Sequence, residues 1–597
     1  MSNPLTAIVD GLSVAGMHWQ IVSGILLVVA ACQLLLYILL RGIFEEKLTP
    51  GDYYAFSLAG WLVPALFLSI LWYALAWILS LQVGSWLILA VAIAAGLILL
   101  YRMPRQKADT RRGMMPSLVL LTVLFLVLRL AFVSEALLPL YFDSAQHYRY
   151  INEILLNLES PGAGTWSLAA YYHLGFHFVA AFLTSLTGSE ITDVMLVLGQ
   201  IILATMPFSV FIIVRHATQS SYAGIFALIL AAFGWYMPAH AVDWGKYPAL
   251  ASLALIPFVL GAAYLSIQYK NGLTDRTSWS LNILFLGGVL LSIFLHSRSL
   301  VVFVLIALAW LASRSAGRWR LSALLFVLSA IVLEIVYIET KGILGPLFDP
   351  YGMKAVLITL PVLLLSVFAW KSYPGLVIVC FGSAALLIAS LFIPIAGMIP
   401  GFPNTTLLDR PYVEMILYLP LTLLGGLGLA GLEQWLQAHH PAWSPGRMIA
   451  IIFITLVAVN AFIRYDLYPS DCCAITSEDD LAAIQWMDAN LPKDALILTS
   501  STALNVLPTD EYQGSAGGDA GTWVTPLIGR PSTSLPFQTD FSRQETLNTL
   551  CNTGVEYVYV GQTGYFFNDS GMPVPPDGYR IVFALPKARV YEVTGCE

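Results

Sequence analysis

Apolar runs long enough to cross a hydrocarbon core of roughly 30 Å recur along this chain from near its start to about Arg464. Nothing constrains the fold more. With 58% hydrophobic and only 11% charged residues, the chain lacks the polar surface that a water-soluble domain of this size needs. The spans must be helices, because an open strand edge would leave backbone N–H and C=O groups unpaired in lipid. About fourteen crossings are expected, near 17–41, 53–79, 83–101, 117–138, 191–214, 222–240, 248–267, 279–296, 299–313, 320–339, 355–370, 373–393, 411–436 and 447–464. The first has no basic flank and no small-residue cleavage site, and reads as a retained anchor. The net charge of −7 says little about partners, since in a membrane protein the distribution of charge matters more than its sum.

Arg102, Arg105, Lys107, Arg111 and Arg112 crowd one loop. Counting alternate crossings puts Lys47, Arg215, Lys270, Arg276, Arg314, Arg318, Arg320, Lys371 and Arg447 on the same side, which is expected to be cytoplasmic. The opposite loops carry mostly single cations, among them Lys246, Arg298 and Arg410. An isolated cation there is better suited to meeting a ligand than to setting topology. This parity holds only if the segment Ala169 to Gly188 does not cross. Tyr171, Tyr172, His173 and His177 make it polar at one end, as a re-entrant or interfacial helix covering a cavity would be.

After Arg464 the character changes. Ala495–Thr499, Val555–Val560, Tyr579–Leu585 and Val590–Val593 have the composition of strands, and Glu478–Asn490 reads as an amphipathic helix. Residues 465–597 are therefore expected to form a small α/β domain, outside the cytoplasm by the loop parity. Cys472, Cys473, Cys551 and Cys596 all fall here, and four cysteines in an oxidising compartment suggest two bridges, with connectivity left open by the adjacent pair. A zinc site competes, without CxxC spacing to support it.

The polar stretch Asp143-Ser144-Ala145-Gln146-His147-Tyr148 follows within a few residues of a hydrophobic span. Asp143 and His147 are four apart in a segment patterned as an interfacial helix, so they share a face. A partly shielded carboxylate can take a proton from a hydroxyl, and an imidazole beside it can orient it or help hold an anionic leaving group. The plainer reading makes Asp143 a helix N-cap. Lys246, His296, Arg298 and Arg410 form a second constellation at the ends of different spans. Cations at that depth need anions, either internal partners such as Asp243, Asp409 and Glu414 or a bound phosphate, which guanidinium grips bidentately. Arg129 and Glu334 lie inside spans and must find partners in the bundle. The chain has no GxxxxGK[ST] and no strand-anchored GxGxxG, which weighs against an ATP-driven pump.

Taken together, the stretches Tyr141-Phe142-Asp143, Trp166 through His177, Trp244-Gly245-Lys246-Tyr247-Pro248, Thr406 through Pro411 and Asp519 through Trp523 resemble the GT-C superfamily of membrane glycosyltransferases, in the style of the aminoarabinose and protein mannosyl transferases. The resemblance covers the chain from about residue 117 onward. It implies a polytopic α-helical core at 117–464, with a first outer loop at 139–168 and an interfacial segment at 169–188. It also implies an extracytoplasmic α/β domain at 465–597, with residues 1–116 as an added module.

The implied activity is inverting transfer of a sugar from a polyprenyl-phosphate donor to an acceptor hydroxyl on a glycan, lipid or protein, at the outer face of the cell membrane. Asp143 would be the base, with His147 beside it. Lys246, His296, Arg298 and Arg410 would stabilise the departing phosphate, Tyr172, His173, His177, Asp243 and Glu414 would line the cavity, and Trp523 and Arg530 would face the acceptor. Several relatives carry two adjacent acids where this chain has Asp143-Ser144; no cofactor is certain and a divalent metal is left open. Membrane lipid is the expected surrounding partner, and nothing points to nucleic acid. The rival readings are a lipid or polysaccharide transporter or flippase, for which inverted halves and broken midplane helices are not evident, and a non-catalytic scaffold subunit on the same fold.

Overall fold

The computed structural model describes residues 4–44, 47–77, 83–103, 114–159, 172–269, 275–315, 317–342, 344–352, 354–396, 398, 405–440, 446–504, 514–572 and 578–596. Arg105, Lys107, Arg111, Arg112, Trp166, Tyr171 and Lys270 lie outside the described residues.

The chain is a multi-pass helical membrane protein with a C-terminal mixed α/β domain. Among the described residues nine helices are long and apolar enough to cross a membrane: Trp19–Phe44, Ser85–Arg102, Met115–Ser134, Ile191–Thr218, Tyr247–Tyr269, Arg320–Thr340, Pro374–Phe392, Arg410–His439 and Gly446–Arg464. A tenth candidate is the pair Pro50–Ala59 and Leu62–Trp77, bent by 45°. Every stretch expected to cross contains a helix, but Ser221–Phe233, Trp279–Leu295, Ser299–Ser315 and Val356–Ser372 are shorter. At 1.5 Å per residue the shortest reaches only about 20 Å. Among the described residues the count by length and composition is thus nine or ten, against about fourteen expected; periodicity marks an apolar helix without showing how much of it winds.

Ile191–Thr218 is buried along most of its length and lies at the centre of the bundle, whereas Arg320–Thr340 packs one side on Pro374–Ala389 and turns many apolar side chains outward. The segment expected to be re-entrant or interfacial contains a helix of 13 residues, Gly175–Thr187, with eleven of its residues buried. It packs inside the bundle against Leu62–Trp77, Ile191–Thr205 and Tyr141–Glu159. Arg129, an ion inside a span, donates to the carbonyl of Ala232 at 2.6 Å and to the Tyr465 hydroxyl, and lies over the Phe233 and Tyr465 rings. Its charge is spent tying three helices together.

The C-terminal domain is a six-stranded sheet of β1 (Ile497–Ala503), β2 (Ser515–Gly517), β3 (Ser532–Pro536), β4 (Tyr557–Gly561), β5 (Tyr579–Ala584) and β6 (Ala588–Val593). The order is β2-β1-β4-β6-β5 with β3 also on β1, and β1 runs parallel to β3 and β4. The helix Glu478–Asn490 begins at a capping box made by Ser477 and Asp480. Four strands and this helix lie where the sequence placed them to within a few residues; β2 and β3 were not foreseen, because SAG and STSLP have no alternating apolar pattern. Cys551 is bonded to Cys596 and Cys472 to Cys473, while Cys32 and Cys380 are free and buried.

The domain does not hang from the bundle as a separate body. Ala145 is buried in the same apolar cluster as Ile484, Met487, Ala520, Trp523 and Val524, with Leu138 and Tyr148 packed against it. One face of the helix Tyr141–Glu159 therefore completes the domain's core, and its opposite side meets the bundle.

Candidate functional site

The helix carrying Asp143 starts at an unusual residue. Tyr141 has φ of 65°, in the left-handed region that a bulky side chain rarely adopts, and its N–H donates to the Cys473 carbonyl at 3.0 Å. Asp143 follows in the first helical turn, inside the helix and not before it, so it is not the N-cap. Its negative charge suits the helix N-terminus, but its side-chain partner is Lys246, whose ammonium donates to Oδ2. Oδ1 has no hydrogen-bond partner among the described residues. The pair is neither sealed nor fully solvated, with 24% of the Asp143 and 31% of the Lys246 side chain exposed.

Gly245 makes this meeting possible. It has φ of +62°, and a Cβ built there would stand 2.5 Å from Ser144 Oγ and 2.9 Å from the Leu140 carbonyl. Only a residue without a side chain lets the loop before Tyr247–Tyr269 press against the first turn of the Asp143 helix. Burial opposes the charge on Lys246, but the Asp143 carboxylate, in contact and hydrogen-bonded, outweighs it and raises the ammonium's pKa.

Behind the pair lies a buried aromatic and imidazole array. His147 Nδ1 is 3.0 Å from His177 Nε2 and 3.4 Å from the Tyr172 hydroxyl. Tyr172 stacks on His173 at 4.6 Å, His173 meets His296 at 4.2 Å, and His296 stacks on Tyr412 at 5.0 Å. A close backbone approach brings the middle of this chain together, since a Cβ on Gly175 would meet the Phe294 carbonyl at 2.9 Å. Burial, then the neighbouring His173 and the Lys246 charge, hold His147 well below its ordinary pKa. Burial, then His177, Arg298 and Lys246, do the same to His173. Both imidazoles are neutral at pH 7.

At the far end of the array Arg298 pairs with Asp409 at 3.0 Å and lies over the Tyr412 ring at 5.8 Å. Asp409 also caps the helix Arg410–Ile416 through the Tyr412 N–H. Arg410, one residue on, has no carboxylate within 4 Å among the described residues. It acts at longer range on Tyr141, whose phenol is pushed up by burial and then by Asp143, while Lys246 and Arg410 pull it down. Tyr565 of the C-terminal domain contributes to the same balance.

Asp143, His147, Lys246, Tyr172, His173, His177, His296 and Arg298 thus form one connected neighbourhood. Asp243, Trp523 and Arg530 are engaged otherwise, and Glu414 joins no hydrogen bond of this array among the described residues. Asp243 bonds His240 and the Ser470 N–H, each at 2.8 Å, instead of pairing with Lys246. Glu414 is buried, with Oε2 unpartnered among the described residues. Trp523, expected to face an acceptor, is fully buried against Tyr148. Arg530, expected beside it, is 2% exposed and spends its donors on Asp488, Leu491 and Pro492. Tyr412, Gly245 and Tyr565 were not foreseen; glycine in Trp-Gly-Lys was the only available signal.

The donor set does not fit a hard divalent cation, which takes several oxygens. Among the described residues Asp143 is the only carboxylate hydrogen-bonded to Lys246, and the next one, Asp409, is engaged by Arg298; the other neighbours are imidazoles and cations.

No curated protein matches the chain. The oligosaccharyltransferase of Archaeoglobus fulgidus, tethered to an acceptor peptide, aligns at 12% identity and a TM-score of 0.47, over 76% of this chain and 69% of its own. The arabinofuranosyltransferase AftD from Mycobacteria aligns at 10% identity and a TM-score of 0.42, over 83% of this chain and 41% of its own. A mutant form of AftD gives 12% and 0.41, over 82% and 42%. The chain thus spans about two fifths of AftD's length, and scores below 0.5 leave these as similarities to GT-C membrane glycosyltransferases and no more. Residues 6–347 match a single family, which covers more than half of the chain: it belongs to the family of unknown function DUF6541.

Proposed function

We propose that this protein is a glycosyltransferase that moves a sugar from a polyprenyl-phosphate donor to an acceptor hydroxyl, at an extracytoplasmic site, with inversion. The observation that carries this reading is the direct pairing of Asp143 with Lys246 at one end of an array that reaches Arg298 at the other. Asp143 Oδ1 accepts the acceptor's proton as its oxygen attacks the anomeric carbon. The bond to the lipid phosphate breaks on the opposite face, and the charge left on that phosphate is met by Lys246 and Arg298, with Arg410 adding a longer-range field. Such donors, fixed before reaction, stabilise developing charge without reorganisation. The neutral imidazoles between them keep the space polar without adding positive charge. The lipid tail lies between helices, and the C-terminal domain covers the acceptor side. The clustering of bonded cysteines in that domain supports the outward orientation.

The test is Asp143→Asn in membranes supplied with a panel of radiolabelled polyprenyl-phosphate monosaccharides. Transfer is expected to fall by roughly 10²–10⁴-fold, with the protein still folded in detergent at a somewhat lower thermal midpoint, because Lys246 loses its charged partner. Transfer at the wild-type rate would remove Asp143 as base. If wild type transfers none of the sugars, the transferase reading fails.

A further inference from the structure

A second constellation lies just outside the Asp143 site. His240, in the short turn Ala239–Ala241, and the adjacent Cys472 and Cys473 bring one nitrogen and two sulfurs within 4.8 Å of one another. They are separated by more than 230 positions in sequence, which is why no spacing rule could find them. His240 and Cys473 are buried and Cys472 is exposed, so the group is reached from solvent through Cys472.

The histidine is held as a ligand would be. Its Nδ1 is 2.8 Å from Asp243 Oδ2, and Asp243 Oδ1 accepts the Ser470 N–H at 2.8 Å. The ring lies between Tyr236 at 4.2 Å and Trp244 at 4.9 Å. A carboxylate on Nδ1–H fixes the tautomer and leaves the lone pair on Nε2, the usual outer-shell support of a zinc-bound imidazole. The same carboxylate orients the turn that carries the cysteines.

We infer that His240, Cys472 and Cys473 form a redox-gated site for a thiophilic divalent cation such as Zn²⁺. With the two cysteines joined to each other, neither sulfur is a thiolate and the site is closed. A dithiol reductant opens it: the S–S bond takes up two electrons and two protons, and the reductant leaves as its own disulfide. Zn²⁺ then displaces both thiol protons and binds two thiolates and the imidazole. Zn–S bonds of about 2.3 Å and Zn–N bonds of about 2.0 Å place tetrahedral ligands roughly 3.4–3.8 Å apart, within reach of the present cluster by side-chain rotation. Three protein ligands leave a fourth position for water, as in open zinc sites. The state of this turn bears on the neighbouring site, because the Cys473 carbonyl receives the Tyr141 N–H at the start of the Asp143 helix.

The experiment uses full-length protein in detergent, oxidised or reduced with a phosphine and then freed of it, titrated with Zn²⁺ against a chromophoric chelator. Reduced protein is expected to hold one Zn²⁺ at least 100-fold more tightly than oxidised protein. Cys472→Ser, at an exposed position, should remove that difference, and His240→Ala should weaken binding roughly 10–100-fold. Because His240 is packed between two rings, the Cys472 variant decides if His240→Ala fails to fold. The double variant Cys551→Ser/Cys596→Ser should bind as wild type, since reduction also opens that bridge. Equal binding by oxidised and reduced wild type, or full binding by reduced Cys472→Ser, overturns the inference.

Discussion

Replacing Gly245 by alanine tests whether the contact between the Lys246 loop and the Asp143 helix depends on a missing side chain. Two costs add. Alanine in the left-handed region loses about 1–2 kcal/mol, and the new methyl must be fitted where a Cβ would meet Ser144 Oγ at 2.5 Å, the Leu140 carbonyl at 2.9 Å and the Ser144 nitrogen at 3.0 Å. Two of those three atoms belong to backbone in the first turn of a helix, so the strain is not relieved by a rotamer change, and overpacking of this kind costs about 1–3 kcal/mol. The total is roughly 2–5 kcal/mol. Thermal denaturation in detergent at fixed scan rate should show a clearly lowered midpoint, accompanied by loss of the transfer proposed above, as Lys246 is levered away from Asp143. Ser144→Ala combined with Gly245→Ala should recover only part of the loss, because the hydroxyl is one of three obstacles. Gly287→Ala is the control, with nothing within 4 Å of its Cβ and a gain of about 0.5–1 kcal/mol expected for a helical glycine. If Gly245→Ala melts within about 0.5 kcal/mol of wild type, alongside that control, the account of the loop is wrong.

Two further outcomes concern the C-terminal domain. Asp519 is fully buried, and burial pushes its carboxyl from 3.8 up to about 7 even though the Gly521 and Gly561 N–H groups and Ser500 favour its charged form. The folded state then holds a proton that the unfolded state releases, so this group's contribution is present below about pH 4 and is lost as pH rises to about 7. Hydrogen exchange in β1 and β4, corrected for intrinsic rate, should show protection falling across that window by an amount on the order of 4 kcal/mol at most; flat or rising protection would refute it. The Cys551–Cys596 bridge spans 45 positions, and closing a loop of that size removes unfolded-state entropy worth roughly 4 kcal/mol. Cys551→Ser with Cys596→Ser should lower the domain's stability by about 2–4 kcal/mol in the same exchange experiment, and no change would mean that strain or residual structure cancels the entropy.

Much of the scaffold was legible because its cause is local. Runs of leucine, valine and isoleucine must be helical in lipid, and helices stand at all the stretches expected to cross. The strands Val555–Val560 and Val590–Val593 were visible through their apolar pattern, whereas β3, lying alongside β1 with polar side chains, was not. The same division runs through the site. Asp143 and His147 share a helix, and their spacing alone placed them on one face. Trp523 and Arg530 were misplaced because an aromatic and a guanidinium near an apparent loop look the same in sequence whether they meet a ligand or fill a core. Burial separates the two, and burial is a property of the whole molecule.

Composition by itself determined that this chain lives in a membrane, that its crossings are helices, and that a mixed α/β domain follows them, since each rests on hydrophobicity and periodicity along one dimension. Only the tertiary structure decided that the Asp143 helix is shared between bundle and domain, that Gly245 lets Lys246 reach its carboxylate, and that His240 meets a cysteine pair far along the chain. These are encounters between distant segments, and no local free-energy preference encodes which of the many cations and acids in a chain will come to lie within a hydrogen bond of one another.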